Sequence, residues 1–128
     1  MADNRALVHR WFEEVWNKKR VDAIDEMMAP DCIAHGLHGD DGTVVTGIAP
    51  FKEFHRSFVT RFPNIRIEVA DTLSDGDRTA ARCLVTGNEV GTGKSIEISG
   101  MVISRWKDGK IVEAWNNFDL HLVEQQLR

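Results

Sequence analysis

Two periodicities divide the chain. In its N-terminal half apolar residues recur at helical spacing: Leu7, Val8, Trp11, Phe12, Val15 and Trp16 share one side, with Arg10, Glu13, Glu14 and Lys18 on the other. This predicts an amphipathic first helix with a heavy aromatic face, started by Asp3 as its cap. A second, shorter helix is predicted over Val21 to Met28. Ala29-Pro30-Asp31 ends it, because a residue before proline is pushed out of the helical region. Cys32 to His35 reads as a short strand. Gly36 to Gly47, with four glycines and the Asp40-Asp41 pair, reads as a loop that builds no core but suits the mouth of a site. The third helix begins near Pro50, carries Phe51, Phe54, Phe58 and Phe62 with His55 beside them, and closes at Pro63.

From Ile65 the period becomes two: Ile65, Ile67 and Val69 alternate with Arg66, Glu68 and Ala70, and Asp75-Gly76-Asp77 marks a turn. Long strands are predicted over Arg78 to Val90, Lys94 to Trp106 and Lys110 to Asp119, followed by a short closing helix from Leu120. Helices first and a meander of four long strands after is an α+β pattern. A strongly curved sheet wrapped around the three N-terminal helices buries their aromatic faces and leaves a conical cavity open at one end. The chain, residues 1–128, is read as a single domain.

Composition narrows the function. Twenty acidic against sixteen basic residues give a formal charge of -4 with no basic stripe, so nucleic acid is not expected as a partner. Two cysteines, Cys32 and Cys83, are too few for a disulfide framework or a cysteine-based zinc site, and the N-terminus carries no export signal, so a cytoplasmic setting is expected. No apolar run approaches the roughly 20 residues that span a bilayer, and no glycine-rich phosphate loop appears. Neither a membrane nor a nucleotide cofactor is expected. His35, His38 and Asp40 are the residues a metal would use, but flexible glycines surround them and no further ligand cluster supports them. No metal is predicted.

Four features resemble the SnoaL-like polyketide cyclase or ester cyclase group of the nuclear transport factor 2-like superfamily. They are Ala29-Pro30-Asp31 through His35; the aromatic helix ending in Phe62-Pro63-Asn64; Ser74-Asp75-Gly76-Asp77-Arg78; and the block from Arg105 through Asp108-Gly109-Lys110-Ile111-Val112-Glu113, Trp115, Asp119 and Gln125-Gln126-Leu127. The ordered set spans nearly the whole chain. The resemblance implies a cone-shaped, curved, mixed but mainly antiparallel sheet around three helices. It also implies ring closure by intramolecular aldol chemistry without cofactors, and assigns the acid/base carboxylate to Asp119. The sequence departs from that group at Arg105, where the cyclase that names it has a histidine, and at Thr86 to Gly93, which holds no histidine.

The Asp108-Gly109 turn decides what Asp119 faces. A two-residue loop pairs Lys107 with Lys110 and sets Arg105 and Asp119 on opposite faces. A three-residue loop with a bulge pairs Trp106 with Lys110 and gathers Arg105, Ile111, Glu113, Trp115, Asn117 and Asp119 on one face with Met101 and Ile103. The second is preferred because it collects the polar groups a ligand pocket wants. In it Asp119 moves protons, His35 and Arg105 stabilise negative charge, and Trp115, Asn117, Met101, His55 and Phe58 contact substrate. Each has a plainer reading: Asp119 as a cap for the last helix, His35 and His55 as hydrogen-bonded core histidines, Arg105 as an ion-pair partner of Glu113. A neighbouring Glu97 would raise the Asp119 pKa and Arg105 would lower it, so the direction is open.

The functional expectation is a cofactor-independent cyclase or isomerase acting on a small hydrophobic carbonyl compound. The alternatives are a non-catalytic ligand-binding or dimerisation domain, and an epoxide hydrolase-like or dehydratase activity. A homodimer through the sheet backs is expected, with Val102, Ile98, Val112 and Phe118 forming the apolar patch it covers.

Overall fold

The computed structural model describes residues 3–39 and 42–128. The order is α1 (Arg5–Trp11) running into a π-helical segment (Phe12–Asn17), α2 (Val21–Met27), β1 (Met28–His35), β2 (Val44–Thr46), α3 (Ile48–Arg61), β3 (Arg66–Asp75), β4 (Arg78–Asn88), β5 (Ser95–Lys107), β6 (Lys110–Phe118) and α4 (Leu120–Gln126). The strands form one curved sheet in the order β2-β1-β6-β5-β4-β3. Every neighbouring pair is antiparallel except β1 with β6, which is parallel. This is the α+β architecture that the pattern predicts, with the mixed, mainly antiparallel sheet that the resemblance implies.

Two elements differ from the sequence reading. The first strand begins at Met28, directly after α2, and the segment read as structureless loop contains β2, whose Val45 is buried. Three residues of alternating burial are too short to stand out from the glycines around them. They form a strand because β1 supplies a partner edge, Ile33 facing Thr46 and His35 facing Val44. Pro50 lies in the first turn of α3, where a missing N–H costs nothing. The Asp40-Asp41 pair lies outside the described residues.

The helical face that the spacing identifies becomes the core. Val8, Trp11, Phe12, Val15 and Trp16 are all buried. The chain widens into π geometry here, with Lys18 N–H reaching Glu13 C=O at 2.8 Å. That keeps Trp11, Phe12 and Trp16 all turned inward. Trp16 packs edge-on against Phe51, Phe54 and Phe58 of α3 at 6.1 to 6.4 Å between ring centres. Such aromatic pairs contribute about 0.5–1.5 kcal/mol each beyond their buried area. Asn17 ends the segment by donating to Ile67 C=O at 2.9 Å and accepting from Ile67 N–H at 2.7 Å, which ties the helical layer to β3.

The two faces of the sheet are sorted by strict alternation. Ile96, Ile98, Val102, Ser104 and Trp106 of β5 are buried toward the helices, whereas Glu97, Ser99, Met101 and Ile103 are exposed on the convex back. Asp108 and Gly109 adopt φ of 53° and 78°, a two-residue turn of the mirror-image type that fits strand twist. Lys107 therefore pairs with Lys110 and Trp106 with Ile111, against the three-residue reading. A bulge at Val112 then shifts the ladder by one, so that Arg105 faces Glu113, Ile103 faces Trp115 and Met101 faces Asn117.

Three cross-strand rows result on the back: Asp75-Arg78-Arg105-Glu113-Ile33, Leu73-Ala80-Ile103-Trp115-His35, and Asp71-Arg82-Met101-Asn117. The apolar patch expected there is corrected accordingly. Ile98, Val102 and Phe118 face the helices and line the interior cavity. Val112 sits in the bulge, and the most exposed apolar residues of the back rows are Leu73, Met101 and Ile103.

Candidate functional site

Between the helices and the concave face lies a cavity with about 80 Å³ open to the centre of a water molecule. Trp11, Trp16, Phe54, Phe58, Ile98 and Phe118 make most of its wall. Phe118 fits because its ring lies over Gly100, where a β-carbon would come within 2.3 Å of it. At the mouth, Gly36 and Leu37 follow the end of β1.

Among this apolar lining, the residues with polar side-chain atoms are Ser104, Asn116, Cys32 with its thiol, and Trp11 and Trp16 with their indole N–H groups. Ser104 pairs with Ala114 on β6, two residues before Asn116, so the two are diagonal neighbours on the concave face. Asn116 Nδ2 donates to the His35 carbonyl at 2.9 Å. Neither Ser104 Oγ nor Asn116 Oδ1 has a hydrogen-bond partner among the described residues. Burial pushes the Cys32 thiol up to about 12, helped by Asp31 and Glu113, so the sulfur stays protonated. The neighbouring hydroxyl of Thr79 is taken by Trp106 Nε1–H at 3.0 Å.

The residues singled out from sequence divide between this cavity and the back of the sheet. Phe58 lines the cavity. His55 is 2 % exposed and sits behind the lining, its Nε2 on the Val15 carbonyl at 2.7 Å, and burial holds its pKa below the usual histidine value. Asp119, expected inside the funnel, is exposed; it caps α4 by accepting from Leu122 N–H at 3.1 Å. Arg105, Trp115, Asn117 and Met101 share one face, as expected, but that face is the convex one. The inversion has one cause. Phe118 and Asn116 turn inward, so the odd-numbered residues between and beyond them turn out.

His35 also projects on the back, where its Nε2 meets Glu113 Oε2 at 2.7 Å and its ring stacks on Trp115 at 5.5 Å. Arg105 approaches the other Glu113 oxygen at 3.5 Å, so the plainer ion-pair reading describes it. The His35 hydrogen bond is the main cause holding the Glu113 carboxyl below its usual range, with Arg105 adding to it and burial opposing. Arg78 lies over the Trp115 ring at 5.4 Å. Among the described residues no group of three or more His, Cys, Asp or Glu could hold a metal ion.

The sequence reading missed Ser104 and Asn116. A serine between Ile103 and Arg105, and an asparagine beside Trp115, carry no spacing signal of their own. Only the register, once the bulge is known, puts them inside.

A cone-shaped sheet closed by helices over an apolar cavity with a few polar groups on its floor is the nuclear transport factor 2-like, or ketosteroid isomerase-like, fold. The sequence model of the SnoaL-like polyketide cyclase family matches residues 6–127, and the chain belongs to that family. Among solved structures it is similar to wild-type IdmH from Streptomyces antibioticus, described as a putative polyketide cyclase. The two share 27% identity and a TM-score of 0.85, over 98% of this chain and 99% of that one. A SnoaL-like protein from Jannaschia sp. CCS1 shares the fold at 22% identity and TM-score 0.84, over 96% and 90% of the two chains. So does a ketosteroid isomerase-like protein from Catenulispora acidiphila, solved with trimethylamine, at 15% identity and TM-score 0.82, over 95% and 92%. No curated protein matches the sequence. Among the described residues no helix is long and apolar enough to cross a membrane.

Proposed function

We propose that the chain is a cofactor-independent cyclase or isomerase that holds a small, mainly apolar carbonyl compound in the interior cavity. The observation that supports this is the pair Ser104 and Asn116, two polar side chains with unused hydrogen-bonding atoms set in a wall of aromatic and aliphatic groups. A hydrogen bond from either group to a guest oxygen replaces one to water and is worth about 0.5–1.5 kcal/mol net. Family membership and the likeness to IdmH support the same class of chemistry.

The lining changes the expected mechanism. Asp119 does not line the cavity, and its described wall offers no carboxylate or imidazole. What these residues supply is shape, which folds a flexible guest so that its reacting carbons meet, and a hydrogen bond that polarises a carbonyl and steadies the charge growing on its oxygen. A carbon acid already activated by two carbonyls passes its proton between guest atoms and water.

The test uses nonane-2,4,8-trione, whose C3 lies between two carbonyls and whose intramolecular aldol condensation onto C8 gives 2-acetyl-3-methylcyclohex-2-enone and water. Ring closure faster than in buffer, slowed by Ser104→Ala and Asn116→Leu and unchanged in Asp119→Asn, is the expected result. Binding of cyclic ketones without turnover of any diketone would favour the second reading, a ligand-binding domain. The absence of a carboxylate or imidazole from the described lining supports that alternative most directly.

Assembly belongs to the same proposal: a second copy covers the convex back. Leu73, Met101 and Ile103 are 73%, 59% and 43% exposed there. Both signs of charge border them, in Arg82 with Asp71 and Arg105 with Glu113, as a face that meets itself across a two-fold axis requires. Sedimentation equilibrium is expected to give a dimer that Met101→Lys with Ile103→Lys converts to monomer; a wild-type monomer would remove this part.

A further inference from the structure

The orientation of one amide carries more than the presence of a polar floor. Asn116 lies where β1 leaves the sheet. Gly36 there has φ of 79°, and a β-carbon on it would come within 2.0 Å of the Asn116 carbonyl oxygen. Only glycine lets the strands approach so closely, and that approach brings the His35 C=O within 2.9 Å of Asn116 Nδ2. Turning the amide over would set its oxygen against that carbonyl, two acceptors facing each other with a hydrogen bond lost. The side chain is therefore held with nitrogen on the backbone and oxygen unpartnered. An amide oxygen can only accept. Ser104, diagonal to it, has a hydroxyl that can donate.

We propose that Asn116 and Ser104 are the specificity-determining residues of the cavity, Asn116 accepting from a hydroxyl or enol of the guest while Ser104 donates to a carbonyl on the same guest. The inference rests on the cavity being the binding site and goes beyond it by stating which oxygen function each residue reads. His35 acts as a positioning residue through its carbonyl, not its imidazole, which lies on the other face in its contact with Glu113. A plain ketone leaves the Asn116 oxygen without a donor. A hydroxyketone satisfies both groups, and a hydrocarbon satisfies neither.

Four guests of one carbon frame separate these cases: tetralin, 1-tetralone, 1-tetralol and 4-hydroxy-1-tetralone. Trp11 and Trp16 both line the cavity, so quenching of intrinsic fluorescence reads binding directly. The wild-type protein is expected to bind 4-hydroxy-1-tetralone about tenfold more tightly than 1-tetralone, the value of one neutral hydrogen bond. Asn116→Leu is expected to erase the hydroxyl preference while still binding tetralin, and Ser104→Ala to erase the preference of 1-tetralone over tetralin. Wild-type protein that binds the ketone and the hydroxyketone equally overturns the assignment but leaves the cavity as the binding site. Wild-type protein that quenches with none of the four overturns both. Because the comparison among guests is made on the wild-type chain, a variant that fails to fold does not block the result.

Discussion

Asp119→Ala separates a structural carboxylate from a catalytic one. The substitution removes the oxygen that accepts from Leu122 N–H at 3.1 Å at the start of α4. Losing an N-cap acceptor costs about 1 kcal/mol, within a range of about 0.5–2. The remaining ties of α4 persist: Val123 is buried, and Gln126 bonds both backbone groups of Glu97, at 2.9 and 3.0 Å. The loss is therefore confined to the cap, and for a chain of this size it lowers Tm by about 3–5 °C. Asparagine caps as well as aspartate, so Asp119→Asn is expected to change stability by less than about 0.5 kcal/mol. Calorimetry on both variants, with guest binding and ring closure measured beside it, reads the outcome. Both are expected to keep wild-type activity. If Asp119→Asn melts like the wild type and has lost turnover, the carboxylate acts on substrate and the reasoning from its exposure is wrong.

Three further outcomes follow from the packing. His55 is kept neutral by burial, so the unfolded chain binds more protons below the ordinary histidine value of 6.5. Its contribution to stability is complete above that pH and is lost as pH falls toward the lower folded value. Urea midpoints at pH 7.5 and 5.5 are expected to differ more for the wild type than for His55→Gln, and equal differences would refute this. Gly36→Ala forces a β-carbon against the Asn116 carbonyl oxygen, so it is expected to destabilise the chain by more than about 1 kcal/mol and to weaken guest binding together with stability in chemical denaturation. Trp106→Phe strands the Thr79 hydroxyl, 2 % exposed, and is expected to cost about 1–3 kcal/mol by the same measurement.

Much of the architecture was legible because it rests on period alone. The apolar face of the first helix, the aromatic face of α3 and the alternation of β3 through β6 each bury what their spacing says they bury. β2 was not legible, because three residues acquire strand geometry only when an edge is offered to them, and that edge comes from β1. The π-helical turn was equally hidden. Its residues read as ordinary helix, and the widening serves contacts to α3 and Ile67 that lie about forty or fifty positions further along.

The site turned on something smaller than an element. The three-residue turn at Asp108-Gly109 gives the right companions for Arg105 from Glu113 onward by the wrong route, since the two-residue turn and the bulge at Val112 together restore the same alternation; Ile111, before the bulge, instead pairs with Trp106 and lines the cavity. Parity within the sheet was thus recovered, but parity does not say which face is concave. That is decided by what each face buries: Ile96, Ile98, Val102 and Trp106 on one side, against Glu97, Met101 and Arg105 on the other. Read on β5 alone, the alternation already places the helices over the even positions. The charged and polar odd positions read as pocket residues in the sequence because titratable groups cluster there. In this fold the cluster of His35, Glu113, Arg105 and Arg78 braces the back of the sheet. The described cavity lining keeps neutral groups, a hydroxyl, an amide, a thiol and two indole N–H groups, that an apolar cavity can hold without the large cost of burying a charge.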